Sequence, residues 1–159
     1  MIGQLAKTLL EHLRRHGEVL VTAESCTGGW IAKSITDCPG SSSVFDRGYV
    51  TYSNEAKQQM LGVQPSTLEH HGAVSEQTVS EMVRGALQQG SGTLAVAVSG
   101  IAGPGGGTPD KPVGSVWFAW RHGNQSVTRY CRFEGERDAV RRQAVETAIQ
   151  GLIELLQPE

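Results

Sequence analysis

The chain has 159 residues, of which 14 are Lys or Arg, 16 are Asp or Glu and 20 are Gly, and its formal charge is −2 at pH 7. A chain of this length buries enough surface for one core without metal or disulfide crosslinks, so we expect a single domain over residues 1–159. The small negative charge argues against nucleic acid as a partner, and every apolar run is shorter than the roughly 20 residues that cross a bilayer.

Cysteine and histidine usage gives a first indication of the protein's environment. The three cysteines make an odd number without CxxC spacing, and the first residues lack the basic and apolar regions of a signal peptide. The sequence therefore predicts a reduced, cytoplasmic protein. No histidine pair has a third ligand at suitable spacing, so neither a metal ion nor another cofactor is expected.

Helix and strand patterns alternate in the first part of the chain. Apolar residues recur at helical spacing over 2–13 with Gly17 just beyond, and a β-branched run over 18–23 predicts a buried strand. A helix is expected over 28–36 and a strand over 45–52. Ser53 or Asn54 then begins a short helix that reaches Leu61.

The second part of the chain ends in a hairpin and a long helix. Ser75 is placed to cap a helix that reaches Leu87, and residues 93–98 predict a buried strand. Residues 99–112 contain three prolines and five glycines and predict a functional loop. A hairpin of 113–120 with 126–133 precedes a helix over 140–156. This order favours a three-layer α/β/α sandwich with a mixed, mostly parallel sheet.

Polar clusters follow several predicted strands, at the end of an open sheet where ligands bind. Residues 25–27 (Ser-Cys-Thr) precede Gly28 and Gly29 at a helix start, where backbone N–H groups converge on an anion or a developing oxyanion. Close packing alone would explain the two glycines equally well. The spacing does not match a phosphate-binding GxxxxGK[ST] loop.

Lys57 is expected in the first turn of its helix, where the positive end of the helix dipole lowers the pKa of an amine. Two interpretations stay open: an exposed lysine that extends into solvent, or a general base. Tyr52, at the end of the preceding strand, is placed to share the proton. Serine with lysine is a known alternative to the Ser-His-Asp triad.

Two further clusters have equally plausible structural explanations. Arg137 and Arg141 lie four residues apart near a helix start and would grip a phosphate, unless Asp138 pairs with them at the surface. The serines of residues 40–43, among them Ser42, are typical of a turn or a helix cap.

Five ordered motifs resemble the CinA C-terminal domain family, especially its stand-alone PncC-type members. They are TAESCTGG (22–29), YSNEAK (52–57), HGAVS (71–75), SGIAGP (99–104) and KPVG (111–114). The resemblance covers nearly the whole chain. It implies hydrolysis of the carboxamide of nicotinamide mononucleotide to nicotinic acid mononucleotide and ammonia, a step of pyridine-nucleotide salvage, and it implies a homodimer.

The resemblance also implies a serine/lysine mechanism. Lys57 would be the base, Tyr52 would assist proton transfer, and Ser42 is the preferred nucleophile, with Ser25 as runner-up. Ser99 would help to form the oxyanion site with neighbouring N–H groups, and Arg141 or Arg137 would bind the 5′-phosphate. The full set of implied substrate contacts is Thr27, Gly28, Gly29, Gly100, Arg137 and Arg141.

Two questions stay open at the level of sequence. The nucleophile cannot be chosen from the residues alone, since Ser25, Cys26 and Ser42 all adjoin loops. The alternative function is a catalytically silent nucleotide-binding module linked to competence or the response to DNA damage. Lys57 together with Tyr52 and Ser42 favours the enzyme.

Overall fold

The computed structural model describes residues 1–157. The helices of this part of the chain are α1 (Ile2–His16), α2 (Trp30–Thr36), α3 (Asn54–Leu61), α4 (Pro65–His71), α5 (Glu76–Gln88) and α6 (Arg137–Leu156). The strands are β1 (Leu20–Glu24), β2 (Phe45–Val50), β3 (Leu94–Gly100), β4 (Ser115–His122) and β5 (Gln125–Arg132). A single 3-10 turn, Ser41–Ser43, precedes β2. Within residues 1–157, no helix combines the length and apolarity needed to cross a membrane.

The five strands form one sheet in the order β2-β1-β3-β4-β5. Strand β1 runs parallel to both β2 and β3, so that Glu24 at its end lies opposite Val50 on one side and Val98 on the other. Strands β4 and β5 continue the sheet in antiparallel fashion. The predicted mixed sheet is confirmed, although the late hairpin makes it evenly mixed rather than mostly parallel.

Helices cover both faces of the sheet, which confirms the three-layer sandwich. Helices α1, α2 and α6 share one apolar core, and α5 with α3 and α4 builds the other. Side chains of a strand alternate between faces, and β3 shows this directly. Val96 and Val98 lie in the first core, whereas Ala95 and Ala97 lie in the second. A strand buried on both faces reads as a continuous apolar run, as predicted.

Element boundaries follow the capping residues seen in the sequence. Gly17 ends α1 with φ 65°, a left-handed conformation that suits glycine. Ser53 caps α3 by accepting the N–H of Ala56 at 3.0 Å, and Ser75 caps α5 in the same way. Helix α4 was not predicted, because its seven residues begin at Pro65 without a side-chain cap and carry no apolar stripe.

The packing of α6 on the sheet depends on a glycine at position 151. A Cβ added there would lie 2.3 Å from ring atoms of Trp120, whose side chain is buried. We expect Gly151→Ala to lower the free energy of unfolding by about 1–3 kcal/mol, since overpacking outweighs the gain in helix propensity. Urea denaturation measures this. The matched control is Gly3→Ala in α1, where nothing lies within 4 Å of the added methyl group and stability should not fall.

Candidate active site

The carboxyl ends of the three parallel strands meet at one edge of the sheet and enclose a cavity of about 200 Å³. Ser25 follows β1, Tyr52 follows β2, and Ser99 ends β3, so three chain segments distant in sequence become neighbours there. The residues that line the cavity are Ser25, Cys26, Tyr52, Lys57, Ala73, Val74, Ser99, Gly100, Ala102 and Arg137.

Lys57 is buried in this cavity, with its side chain only 1% exposed. Its Nζ donates hydrogen bonds to the Ser25 hydroxyl at 3.0 Å, the Thr51 carbonyl at 2.8 Å and the Tyr52 carbonyl at 3.1 Å. Helical side chains lean toward the N-terminus of their helix, so a lysine one turn into α3 reaches back to the end of β2. The lysine is therefore fixed beside Ser25 rather than extended into solvent.

Burial lowers the pKa of Lys57 from 10.5 to about 8. A charged ammonium loses hydration when it is enclosed, and the uncharged amine loses much less. The sequence predicted this direction from the helix dipole, but the main physical cause is burial. An amine with this pKa is partly uncharged near neutral pH and can accept a proton.

The environment of Cys26 disfavours a nucleophilic thiolate. Its thiol is buried, and burial raises its pKa to about 12. The reactive form of a cysteine is the thiolate, which is scarcely populated under this condition. Of the three open candidates, Cys26 is the one that electrostatics disfavours.

Ser42 is not brought to Lys57. It lies exposed in the 3-10 turn before β2, whereas Lys57 follows the opposite end of that strand. Six residues of strand span roughly 20 Å, well beyond the reach of a proton transfer. This placement corrects the preference for Ser42, and its runner-up, Ser25, is the serine in contact with the lysine.

The Tyr52 side chain is also placed differently from expectation. Its phenol is 61% exposed, and its hydroxyl accepts a hydrogen bond from Arg137 Nη2 at 3.1 Å. The main-chain carbonyl of Tyr52, not the phenol, contacts the Lys57 amine. The structure therefore gives no support to a proton relay through the phenol.

The two arginines of α6 occupy different positions. Arg137 lines the cavity and also donates to the Gly103 carbonyl at 2.8 Å. Arg141 donates to the carbonyls of Cys26 and Thr27 at 3.0 and 3.3 Å, and its guanidinium lies over the Trp30 ring. The outer side of the Ser25 loop is thus held by Arg141, while Arg137 faces the cavity.

A carboxylate fills the anion cradle expected at Gly28 and Gly29. The buried Glu24 side chain accepts hydrogen bonds from the N–H groups of Ile31 and Ala32 and from the Thr27 hydroxyl. Neither those amides nor that hydroxyl is left for a substrate. Residues 27–29, Trp30 and Arg141 instead line part of a separate, open pocket. Glu24, Cys26 and Lys57 are also the residue types of nitrilase-like amidases, but the capping role of Glu24 was not predicted from the sequence, although an acid at a strand end shortly before a helix start is a recognisable capping signal.

The two remaining residues of the predicted site, Ser99 and Gly100, belong to the end of β3. Ser99 and Gly100 line the cavity, and Ser99 is 2% exposed. Over residues 1–157, no group of three or more His, Cys, Asp or Glu side chains is arranged to hold a metal ion.

A serine hydroxyl and a buried lysine amine thus lie in contact within one small cavity of an α/β/α sandwich, the pair of groups that some serine hydrolases use. The CinA C-terminal domain model matches residues 2–156, and the chain belongs to that family. The resemblance seen in the five motifs is thereby confirmed.

Known proteins resemble the chain over nearly its full length. It is 55% identical to the nicotinamide-nucleotide amidohydrolase PncC of Escherichia coli (strain K12), over 94% of this chain and 91% of that one. It is 53% identical to the protein of the same name from Pseudomonas putida, over 97% and 96% of the two chains. The crystal structure of the competence/damage inducible protein CihA from Agrobacterium tumefaciens superimposes with a TM-score of 0.96 at 46% identity, over 98% of this chain and 96% of that chain.

Proposed function

We propose that this protein hydrolyses the carboxamide of nicotinamide mononucleotide, releasing nicotinic acid mononucleotide and ammonia in pyridine-nucleotide salvage. The observation that carries the proposal is the hydrogen bond of 3.0 Å between the Lys57 amine and the Ser25 hydroxyl inside the cavity. Relatives that are 53–55% identical and carry the name nicotinamide-nucleotide amidohydrolase support the substrate class.

Ser25 is the nucleophile and Lys57 the base in this mechanism. The uncharged amine removes the hydroxyl proton as Oγ attacks the carboxamide carbon, and the resulting ammonium gives that proton to the amide nitrogen, so that the C–N bond breaks and ammonia leaves. The product of this half-reaction is an ester between Ser25 and the nicotinoyl group. Water, deprotonated by the same lysine, then hydrolyses the ester and restores the serine hydroxyl.

The developing oxyanion needs hydrogen-bond donors on the side of the cavity opposite the base. The N–H of Cys26, which directly follows the nucleophile in the chain, is one proposed donor, as in other serine hydrolases. The Ser99 hydroxyl at the end of β3 is the second, and Gly100 leaves that side open to the substrate. Both donor residues line the cavity.

The cavity binds the pyridine ring of the substrate, and residues at its opening bind the ribose phosphate. Ala73, Val74 and Ala102 give it apolar walls suited to a pyridine ring, and about 200 Å³ is small beside the roughly 300–1,000 Å³ of whole-ligand pockets. The ribose phosphate therefore extends outward past Tyr52. Arg137 is the proposed phosphate ligand, because it lines the cavity, whereas Arg141 does not and binds the carbonyls of Cys26 and Thr27 instead.

The test is incubation of the purified protein with nicotinamide mononucleotide, with ammonia and the acid product quantified against time. Stoichiometric formation of both supports the proposal. Saturable binding without ammonia release would contradict it and favour the nucleotide-binding module. Free nicotinamide, which lacks the phosphate, should be hydrolysed with a much lower kcat/KM.

The pH dependence of kcat/KM follows from the pKa of Lys57, which burial lowers to about 8. Only the uncharged amine is competent, so we expect kcat/KM to rise about tenfold per pH unit below pH 8 and to level off above it. With the ordinary lysine pKa of 10.5, kcat/KM would level off only above pH 10. Initial rates at low substrate concentration across pH 6–10 measure the profile, and a flat profile would exclude Lys57 as the base.

We propose further that residues 1–159 act as a single domain, as a homodimer and in the cytoplasm. Gel filtration with light scattering measures the oligomeric state through the mass of the particle, and a mass near 17 kDa would contradict the dimer. A single cooperative transition in thermal unfolding is expected for one domain, and two separate transitions would contradict it.

A further inference from the structure

Glu24 is a buried carboxylate next to the nucleophile that the proposed reaction does not use. Its Oε1 accepts the Thr27 hydroxyl at 2.6 Å and the Ile31 N–H at 2.9 Å, and its Oε2 accepts the Ala32 N–H at 3.0 Å. Its side chain has no exposed surface, and no ion pair within residues 1–157 involves it. Hydrogen bonds alone therefore compensate the cost of burying this charge.

We propose that Glu24 is a positioning residue, which holds the loop 25–29 so that Ser25 Oγ stays at the Lys57 amine and the Cys26 N–H stays turned to the cavity. This role rests on the proposed function of Ser25 as the nucleophile.

The loop 25–29 needs the contact with Glu24 because its own residues do not cap helix α2. Gly29, the residue before α2, has φ 102° and carries no side chain that could cap the helix. Without Glu24, the N–H groups of Ile31 and Ala32 would lack a partner, and the strand end would have no hydrogen bond to the start of the helix. Glu24 supplies the cap from the last position of β1, so the loop between them has both ends fixed.

The loop is held on three sides. The Ser25 N–H donates to the Val98 carbonyl of β3 at 3.0 Å, and Arg141 binds the carbonyls of Cys26 and Thr27 from outside. Glu24 joins the loop to the start of α2 through the Thr27 hydroxyl and the N–H groups of Ile31 and Ala32. A displacement of about 1 Å of a nucleophile from its base can lower a rate about 100-fold. The hydrogen bonds of Glu24 to the loop are therefore expected to affect turnover.

The chain contains a matched control for this residue. Glu81 in α5 also caps another helix from a distance, and it accepts the Gln64 N–H at 2.8 Å and the Thr67 hydroxyl at 2.6 Å. Each glutamate accepts a backbone N–H and a threonine hydroxyl at a helix start, although Glu81 is only partly buried, and α4 carries no residue proposed for the reaction. Glu81→Gln therefore reports the structural cost of losing such a cap.

The experiment compares kcat, KM and thermal stability of Glu24→Gln and Glu81→Gln with those of the unmodified protein. We expect Glu24→Gln to lower kcat by about 10- to 100-fold, with KM within about twofold, because the ring and phosphate contacts remain. Glu81→Gln should leave kcat within about twofold even where its Tm falls. A merely structural role for Glu24 would give two variants with equal kcat.

A second pair of variants keeps the test valid if Glu24→Gln does not fold. Thr27→Val removes only the hydroxyl that donates to Glu24, whereas Thr27→Ser keeps it, so the valine variant should lose kcat and the serine variant should retain it. Equal kcat in this pair would overturn the positioning role.

Ser25→Ala separates this inference from the proposed function. An inactive Ser25→Ala with unchanged kcat in Glu24→Gln overturns the role of Glu24 alone. An active Ser25→Ala overturns the proposed nucleophile, and the role of Glu24 falls with it.

Discussion

Ser25→Ala is expected to lower kcat by roughly 1,000-fold or more, while Ser42→Ala stays within about twofold of the unmodified protein. Removal of a covalent nucleophile leaves only the binding and oxyanion contacts to act on the substrate. Ser25 is the serine that contacts the Lys57 amine, at 3.0 Å. Ammonia release from nicotinamide mononucleotide measures both variants.

The pair of serine variants is a matched comparison, because each removes one hydroxyl from a loop beside the same sheet. Ser42 is exposed in the turn before β2, so its loss should change neither turnover nor stability. Full turnover in Ser25→Ala together with loss in Ser42→Ala would reverse the assignment. An ester intermediate trapped on Ser25 and detected by mass spectrometry would support it independently.

Lys57→Met is expected to abolish turnover without loss of stability. The variant keeps the length of the side chain and removes the only group proposed to take the Ser25 proton, so a fall in kcat of roughly 1,000-fold is expected. The folded-state pKa of the lysine lies below its usual value, so at neutral pH the native state bears the cost of a buried charge. Methionine removes that cost, and Tm at pH 7 should stay equal or rise.

The pH dependence of stability gives the control for this variant. Between the folded-state pKa of about 8 and the ordinary value of 10.5, the unfolded chain binds more protons at Lys57 than the native state does. This group therefore adds stability as the pH rises through that range, and the increment should be absent in Lys57→Met. A marked fall in Tm of Lys57→Met at pH 7 would show that the lysine stabilises the fold through its three hydrogen bonds instead.

Local signals in the sequence accounted for most of the fold. The helical stripe of 2–13 with Gly17, the capping serines Ser53 and Ser75, and the buried run of β3 each depend on interactions within a few residues. Helix α4 was not found, and the start of α6 was located only approximately, near Arg137, because neither helix has a side-chain cap. A side-chain cap can be recognised from the sequence, whereas a helix without one gives no local signal for where it begins.

Part of the candidate site could likewise be predicted from local sequence signals, and part could not. Lys57 stood out because a lysine early in a helix contradicts the helix dipole, and the structure places it in the cavity. The capping role of Glu24 was not predicted, because its three hydrogen-bond partners lie three to eight residues away, across a glycine turn and into the next helix. The contacts of the Tyr52 and Arg141 side chains could not be predicted, because they are made with segments that are remote in the chain.

The sequence by itself determined the order of helices and strands, the family and the amine that makes the site chemically unusual. Only the tertiary structure decided which hydroxyl that amine meets. In the parallel pairing of β1 with β2, the residues after both strands share one edge of the sheet, which brings residue 25 to residue 57 and leaves residue 42 at the far end. Strand direction and register are set by packing across the whole sheet, so neither can be predicted from a local sequence pattern.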